Sequence, residues 1–159
     1  MIKDPALRGR TLAELCLRLG PRLFDEILEA GVLPGGTGAA VSTARTEWSC
    51  FALYACVRGL VAAGGFNRET AAAIDALHEH ALDPADAALK ALASERYAEY
   101  GTIGQEGGKS GAATVTHRLG ETAARHMVAD EPSEALIELV GALHESLAEG
   151  AAEAVRRAE

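Results

Sequence analysis

The stretch STARTEWSCFALYACVRGLVAAGG, residues 42–65, constrains the fold more than any other part of the chain. Trp48, Phe51, Ala52, Leu53, Tyr54, Ala55, Val57, Leu60 and Val61 would cover nearly every face of a helix. A helix with no polar face is stable in water only when neighbours surround it. Ser42 or Thr43 is placed to cap its start, and Gly64-Gly65 to stop it. The apolar run Trp48–Ala63 spans 16 residues and contains Arg58 and Gly59. That falls short of the roughly 20 residues a membrane span needs. This segment is therefore expected at the centre of a water-exposed bundle. Glu47 and Arg58 lie about three turns apart on one face of it, a polar seam or partner contact.

The rest of the chain supplies the neighbours. Leu12, Leu15, Leu19, Leu23, Ile27 and Leu28 recur at helical spacing. They predict two short helices, Thr11–Leu19 and Pro21–Ala30, followed by the linker LPGGTG. Asn67 would cap a helix with the stripe Ala71, Ile74, Leu77 and Ala81. Asp83-Pro84 would open the next helix, striped by Leu89, Leu92, Tyr97 and Tyr100. The segment from Gly101 to Gly111 looks like an interhelical loop, with Ser110 capping a helix through Val115, Leu119, Ala123 and Met127. Asp130-Glu131-Pro132 separates that helix from the last one, lined by Leu136, Leu139, Val140, Leu143 and Leu147. The expected fold is all-α, a compact multi-helix bundle of six or seven helices. It forms a single domain with an N-terminal helical segment (1–38), a helical core (39–131) and a C-terminal helix (132–159).

Seven aromatics among 159 residues are few, so the core must rest on Ala, Leu and Val with closely approaching helices. The net charge of −8 is split as zero over 1–38, −2 over 39–129 and −6 over 130–159. Without a basic cluster, extended nucleic-acid binding is disfavoured, because that binding is driven by Lys and Arg displacing counterions. Cys16, Cys50 and Cys56 are odd in number, form no CxxC pair and sit among apolar residues. They are expected as buried free thiols. Met1–Arg10 contains no apolar signal-type run, and the expected location is cytoplasmic.

YGTIGQEGGKSG, residues 100–111, ends like a phosphate-binding loop. Such a loop needs a glycine five positions before Gly108, where Ile103 stands, and a strand ahead of it, where SERYAEY is helical in pattern. The segment is expected to be a hinge, with Lys109 beside the next helix start as an anion-binding candidate. His117 and Glu121 share a helix face. His78 and His80 lie on different faces, so no metal site is expected. His126 is placed at a helix interface and His144 beside the last apolar seam. Arg96, Tyr97 and Tyr100 form a cluster whose tyrosine hydroxyls belong at a rim. With Trp48 and Tyr54, this cluster is the candidate ligand-binding set. No nucleophile–base constellation appears, and no cofactor is expected.

The succession CFALYACVRGLVAAGG (50–65), ETAAAIDAL (69–77), ALASERYAEYG (91–101) and VTHRLGETAARHM (115–127) resembles the HEPN superfamily of small helical bundles over about residues 43–129. Catalytic members of that superfamily are ribonucleases with a shorter Arg-to-His spacing than the seven residues between Arg118 and His126. The resemblance therefore implies a non-catalytic bundle, of the kind that dimerises, binds a partner protein or nucleotide, or accompanies a nucleotidyltransferase. The readings are a self-associating interaction module, with small residues permitting close contact between subunits, a metal-independent ribonuclease using Arg118, His117 or His126, and a small-molecule binder.

Overall fold

The computed structural model of the chain describes residues 1–35, 37–107 and 112–157. Over these residues it is all-helical, with α1 (Pro5–Glu29), α2 (Gly38–Gly64), α3 (Arg68–Ala81), α4 (Ala87–Gly107), α5 (Ala112–Met127) and α6 (Glu134–Arg157). The apolar helix is central: α2 packs against each of the other five. Among the described residues no helix is long and apolar enough to cross a membrane.

The N-terminal pair of short helices is in fact one, α1, which runs through Pro21. A proline inside a helix removes one N–H bond and crowds the preceding turn. Here the surrounding packing outweighs that cost. Leu12, Phe24 and Ile27 are fully buried, and the Trp48 indole N–H donates to the Gly20 carbonyl at 2.9 Å. Helices α1 and α2 run antiparallel in one register. Arg8 lies beside Gly64, and a Cβ on Gly20 would sit 3.9 Å from that of Ala52. The Arg45 guanidinium covers the Phe24 ring at 4.5 Å.

Cap choices also moved. Helix α2 starts at Gly38, its first free N–H groups served by Thr37, whose hydroxyl accepts from Ala40 N–H. Asp83-Pro84 forms a turn instead, and Asp86 accepts from Leu89 N–H at the start of α4. Asn67 caps α3 as expected. The α3 stripe is rotated, with Thr70, Ala73, Ala76 and Leu77 buried and Ala71 exposed.

The predicted hinge fails for most of its length. Residues 101–107 continue α4, because Tyr100 and Ile103 are buried one turn apart and anchor that part of the helix. Their N–H groups belong to the helix and cannot wrap a phosphate. Lys109 and the Ser110 cap lie outside the described residues.

With so few aromatics, close helix approach is achieved through glycine. A Cβ on Gly59 would stand 2.6 Å from the Ala151 Cβ and 2.9 Å from Ala152 N. One on Gly120 would stand 2.6 Å from the Ile137 carbonyl oxygen. These contacts seat α6 against α2 and α5.

Candidate functional site

An aromatic column runs beside α2. Phe51 stacks on His144 with centroids 3.8 Å apart and meets Tyr100 at 5.0 Å. Tyr54 packs against both Tyr97 and Tyr100 at 5.3 Å. Tyr97 and Tyr100, expected on one face from their spacing, both meet Tyr54 of the candidate set, whereas Trp48 faces α1 and touches Phe51 only by its edge. Tyr100 is not at a rim. It is fully buried, its hydroxyl has no hydrogen-bond partner among the described residues, and burial raises its pKa far above the usual range. The cause is register: Tyr100 falls on the same face as Ala93 and Ile103, both buried.

Arg96 turns from this column to Glu47. Its Nε and a terminal nitrogen donate to the two carboxylate oxygens at 2.8 and 2.9 Å, a planar bidentate pair. Glu47 therefore does not form a seam with Arg58. Arg58 instead donates to Glu145 at 2.8 Å, so the two charges of α2 are held by different helices.

His144 lies in the core and not merely beside a seam. It is fully buried, Nδ1–H donates to the Phe51 carbonyl at 3.0 Å, and Nε2 has no partner among the described residues. Burial, followed by the nearby Arg58 charge, lowers its pKa from 6.5 to about 3. An unfolded chain with an ordinary His binds a proton that the folded chain refuses, so the stability from this group is complete above pH 6.5 and drains as pH falls. Urea unfolding of the wild type should lose up to roughly 1.4 kcal/mol per pH unit from this source between pH 6.5 and 5. His144→Phe, which keeps a ring against Phe51, should show a flatter profile. Equal slopes in the two proteins would refute the assignment.

The three catalytic candidates each hold a separate carboxylate. Arg118 pairs with Glu106 at 2.8 Å, His117 with Glu134 at 2.9 Å, and His126 with Glu99 at 2.9 Å. The His117 pKa is raised chiefly by its Glu134 hydrogen bond. The Glu121 neighbour expected for His117 is the weaker contact at 3.9 Å. His126 does bridge α4 and α5, as an interface residue should. Among the described residues no group of three His, Cys, Asp or Glu side chains could hold a metal ion.

An apolar concavity lies elsewhere, along α2 between α3 and the C-terminal half of α4. Helices α3 and α4 make no close backbone approach among the described residues. They are bridged by the His78 Nε2–Tyr97 hydroxyl hydrogen bond of 2.9 Å. One turn further, in opposite directions, stand Ile74 and Gly101; another turn reaches Ala71 and Gln105. Gly101, Gly104 and Ala71 put almost no side chain into the gap, and a Cβ on Gly104 would meet nothing within 4 Å. The result is a cleft of about 910 Å³. Its apolar walls are Tyr54, Val57, Val61, Ile74 and Val115, with Phe66 at the lip, 93% exposed. Asn67 and Gln105 supply neutral polar groups, while the Thr70 hydroxyl is buried toward Gly64.

Among the described residues of the sequence-derived ligand set, only Tyr54 lines this cleft. Val57, Val61 and Ile74 were visible as apolar residues but were all assigned to packing. The available signal was the coincidence of Gly101 and Gly104 with Ala71 on a facing helix, which periodicity within one helix does not register. No protein-family model, curated protein or solved structure matches the chain, so its own geometry carries the functional reading.

Proposed function

We propose that the protein is a non-catalytic helical bundle that binds a neutral, largely apolar small molecule in the cleft between α2, α3 and α4. The observation that carries this is the cleft itself: about 910 Å³, within the range of small-molecule sites, with apolar walls and a few convergent polar groups. Its charged liner, Arg58, is already paired with Glu145, so an anionic ligand would have to displace that carboxylate. The remaining polar liners are uncharged, and the exposed Gln105 amide suits a hydroxyl or carbonyl on the ligand. A mainly apolar body would cover Val57, Val61 and Ile74 and remove their surface from water.

Titration with Nile red, an uncharged apolar dye, provides the test. A single saturable site is expected in the wild type. Ala71→Trp, on an exposed helix face where the indole has no core to disturb, should weaken it at least about tenfold by filling the cleft. Absence of saturable binding, or binding indifferent to the tryptophan, would count against the proposal.

A further inference from the structure

The antiparallel register of α1 and α2 places two thiols opposite each other. Gly20 meets Ala52. One turn back along α1 is Cys16, and one turn forward along α2 is Cys56. The same register continues to Arg8 beside Gly64. The side chains of Cys16 and Cys56 are thereby neighbours that influence one another's ionisation, and both residues are buried and free. They differ in access. Cys16 lines a cavity of about 180 Å³ with Leu17, Pro21 and Cys50, whereas Cys56 lies behind it, off that lining. Leu17 is 57% exposed, so the cavity sits at the edge of the bundle. We propose that Cys16 and Cys56 form an oxidisable dithiol, a site at which a small hydroperoxide closes an intramolecular disulfide between α1 and α2.

The two thiols take different parts. The neighbouring Cys56 thiol lowers the Cys16 pKa, while Cys16 and burial push that of Cys56 up. The thiolate is the nucleophile in such chemistry. Cys16 gives up its proton and attacks one peroxide oxygen; the O–O bond breaks, and hydroxide leaves with that proton as water. Cys16 is then a sulfenic acid. The Cys56 sulfur attacks the Cys16 sulfur, the S–O bond breaks, and hydroxide departs with the Cys56 proton as a second water. Two thiols and one hydroperoxide (here hydrogen peroxide) give one disulfide and two waters. Two electrons pass from sulfur to oxygen. Cys50 provides an internal control: it lines the same cavity, but burial and the Glu47 charge raise its pKa to about 11, which keeps it protonated.

The experiment uses the native reduced protein with a small excess of hydrogen peroxide. It is then quenched, alkylated with N-ethylmaleimide in denaturant and mapped by mass spectrometry. The expected product lacks two hydrogens, links the Cys16 and Cys56 peptides within one chain, leaves Cys50 alkylated and reverts with dithiothreitol. Cys50→Ser should behave as the wild type, and Cys16→Ser should form no disulfide. Linkage should be at least about tenfold faster in the folded protein than in urea, because the fold holds the sulfurs together. A link through Cys50, a link between chains, three alkylatable thiols after treatment, or equal rates folded and unfolded would each overturn the proposal. Mapping of the wild type decides the matter even where a serine variant does not fold.

Discussion

Arg96→Ala is expected to destabilise the fold by about 3 kcal/mol, read as a lower urea midpoint with an unchanged slope. The Glu47 side chain retains only 8% of its exposure and that of Arg96 12%, so the substitution leaves a carboxylate inside the bundle without its bidentate partner. Such a loss typically costs about 3–5 kcal/mol. The lower end applies because Arg96 also meets Glu95 and Glu99 at 3.7 and 3.5 Å, toward solvent. Arg96→Lys should not avoid this loss, because an ammonium cannot reproduce the two parallel bonds. Glu47→Leu combined with Arg96→Met should lose less than either single truncation, as buried ion pairs are often replaceable by apolar ones. A cost below about 1 kcal/mol for Arg96→Ala would place the pair with weak surface bridges and refute this account.

The second large effect inverts an intrinsic preference. In an exposed helix Gly→Ala stabilises by about 1 kcal/mol. At Gly59 and Gly120 it should destabilise by about 1–3 kcal/mol each, because the new methyl meets atoms that cannot step aside. At Gly120 the nearest are the Ile137 carbonyl oxygen at 2.6 Å and Gly141 Cα at 2.9 Å, both backbone. At Gly59 they are the Ala151 Cβ and Ala152 N. Relief requires α6 to move away from α2 or α5. The two sites grip separate stretches of α6, so the double variant should lose about 2–6 kcal/mol, near the sum. Gly104→Ala is the control. Nothing lies within 4 Å of its Cβ, so it should follow helix propensity and gain stability. Thermal unfolding of the three proteins separates these outcomes, and stabilisation by Gly120→Ala would show that the crossing is looser than its distances indicate.

Glycine shows where reading a chain one helix at a time reaches its limit. Gly59, Gly101, Gly104 and Gly120 look alike in the sequence, as punctuation or helix weakness. Two of them turn out to be contact points and two border a cleft. The difference lies wholly in what the facing helix presents. Pro21 makes the same point. Local rules end a helix there, while Trp48, from 28 positions away, bonds the Gly20 carbonyl and helps hold α1 whole. The rotated α3 stripe has a related cause, since alanine-rich runs such as TAAAIDAL offer apolar side chains on several faces and only a neighbour selects one.

Local chemistry was therefore sufficient for the helical class, the central place of α2, the Asn67 cap, the buried free thiols and the shared face of Tyr97 and Tyr100. Each depends on composition, on helical periodicity or on a side chain bonding a backbone group a few residues away. The Glu47–Arg96 pair, the unpartnered polar atoms of His144 and Tyr100, the Cys16–Cys56 juxtaposition and the cleft depend on which faces of different helices meet. That choice is made by summed packing over the whole bundle, where the difference between one helix register and the next is spread across many contacts and marked in no single segment.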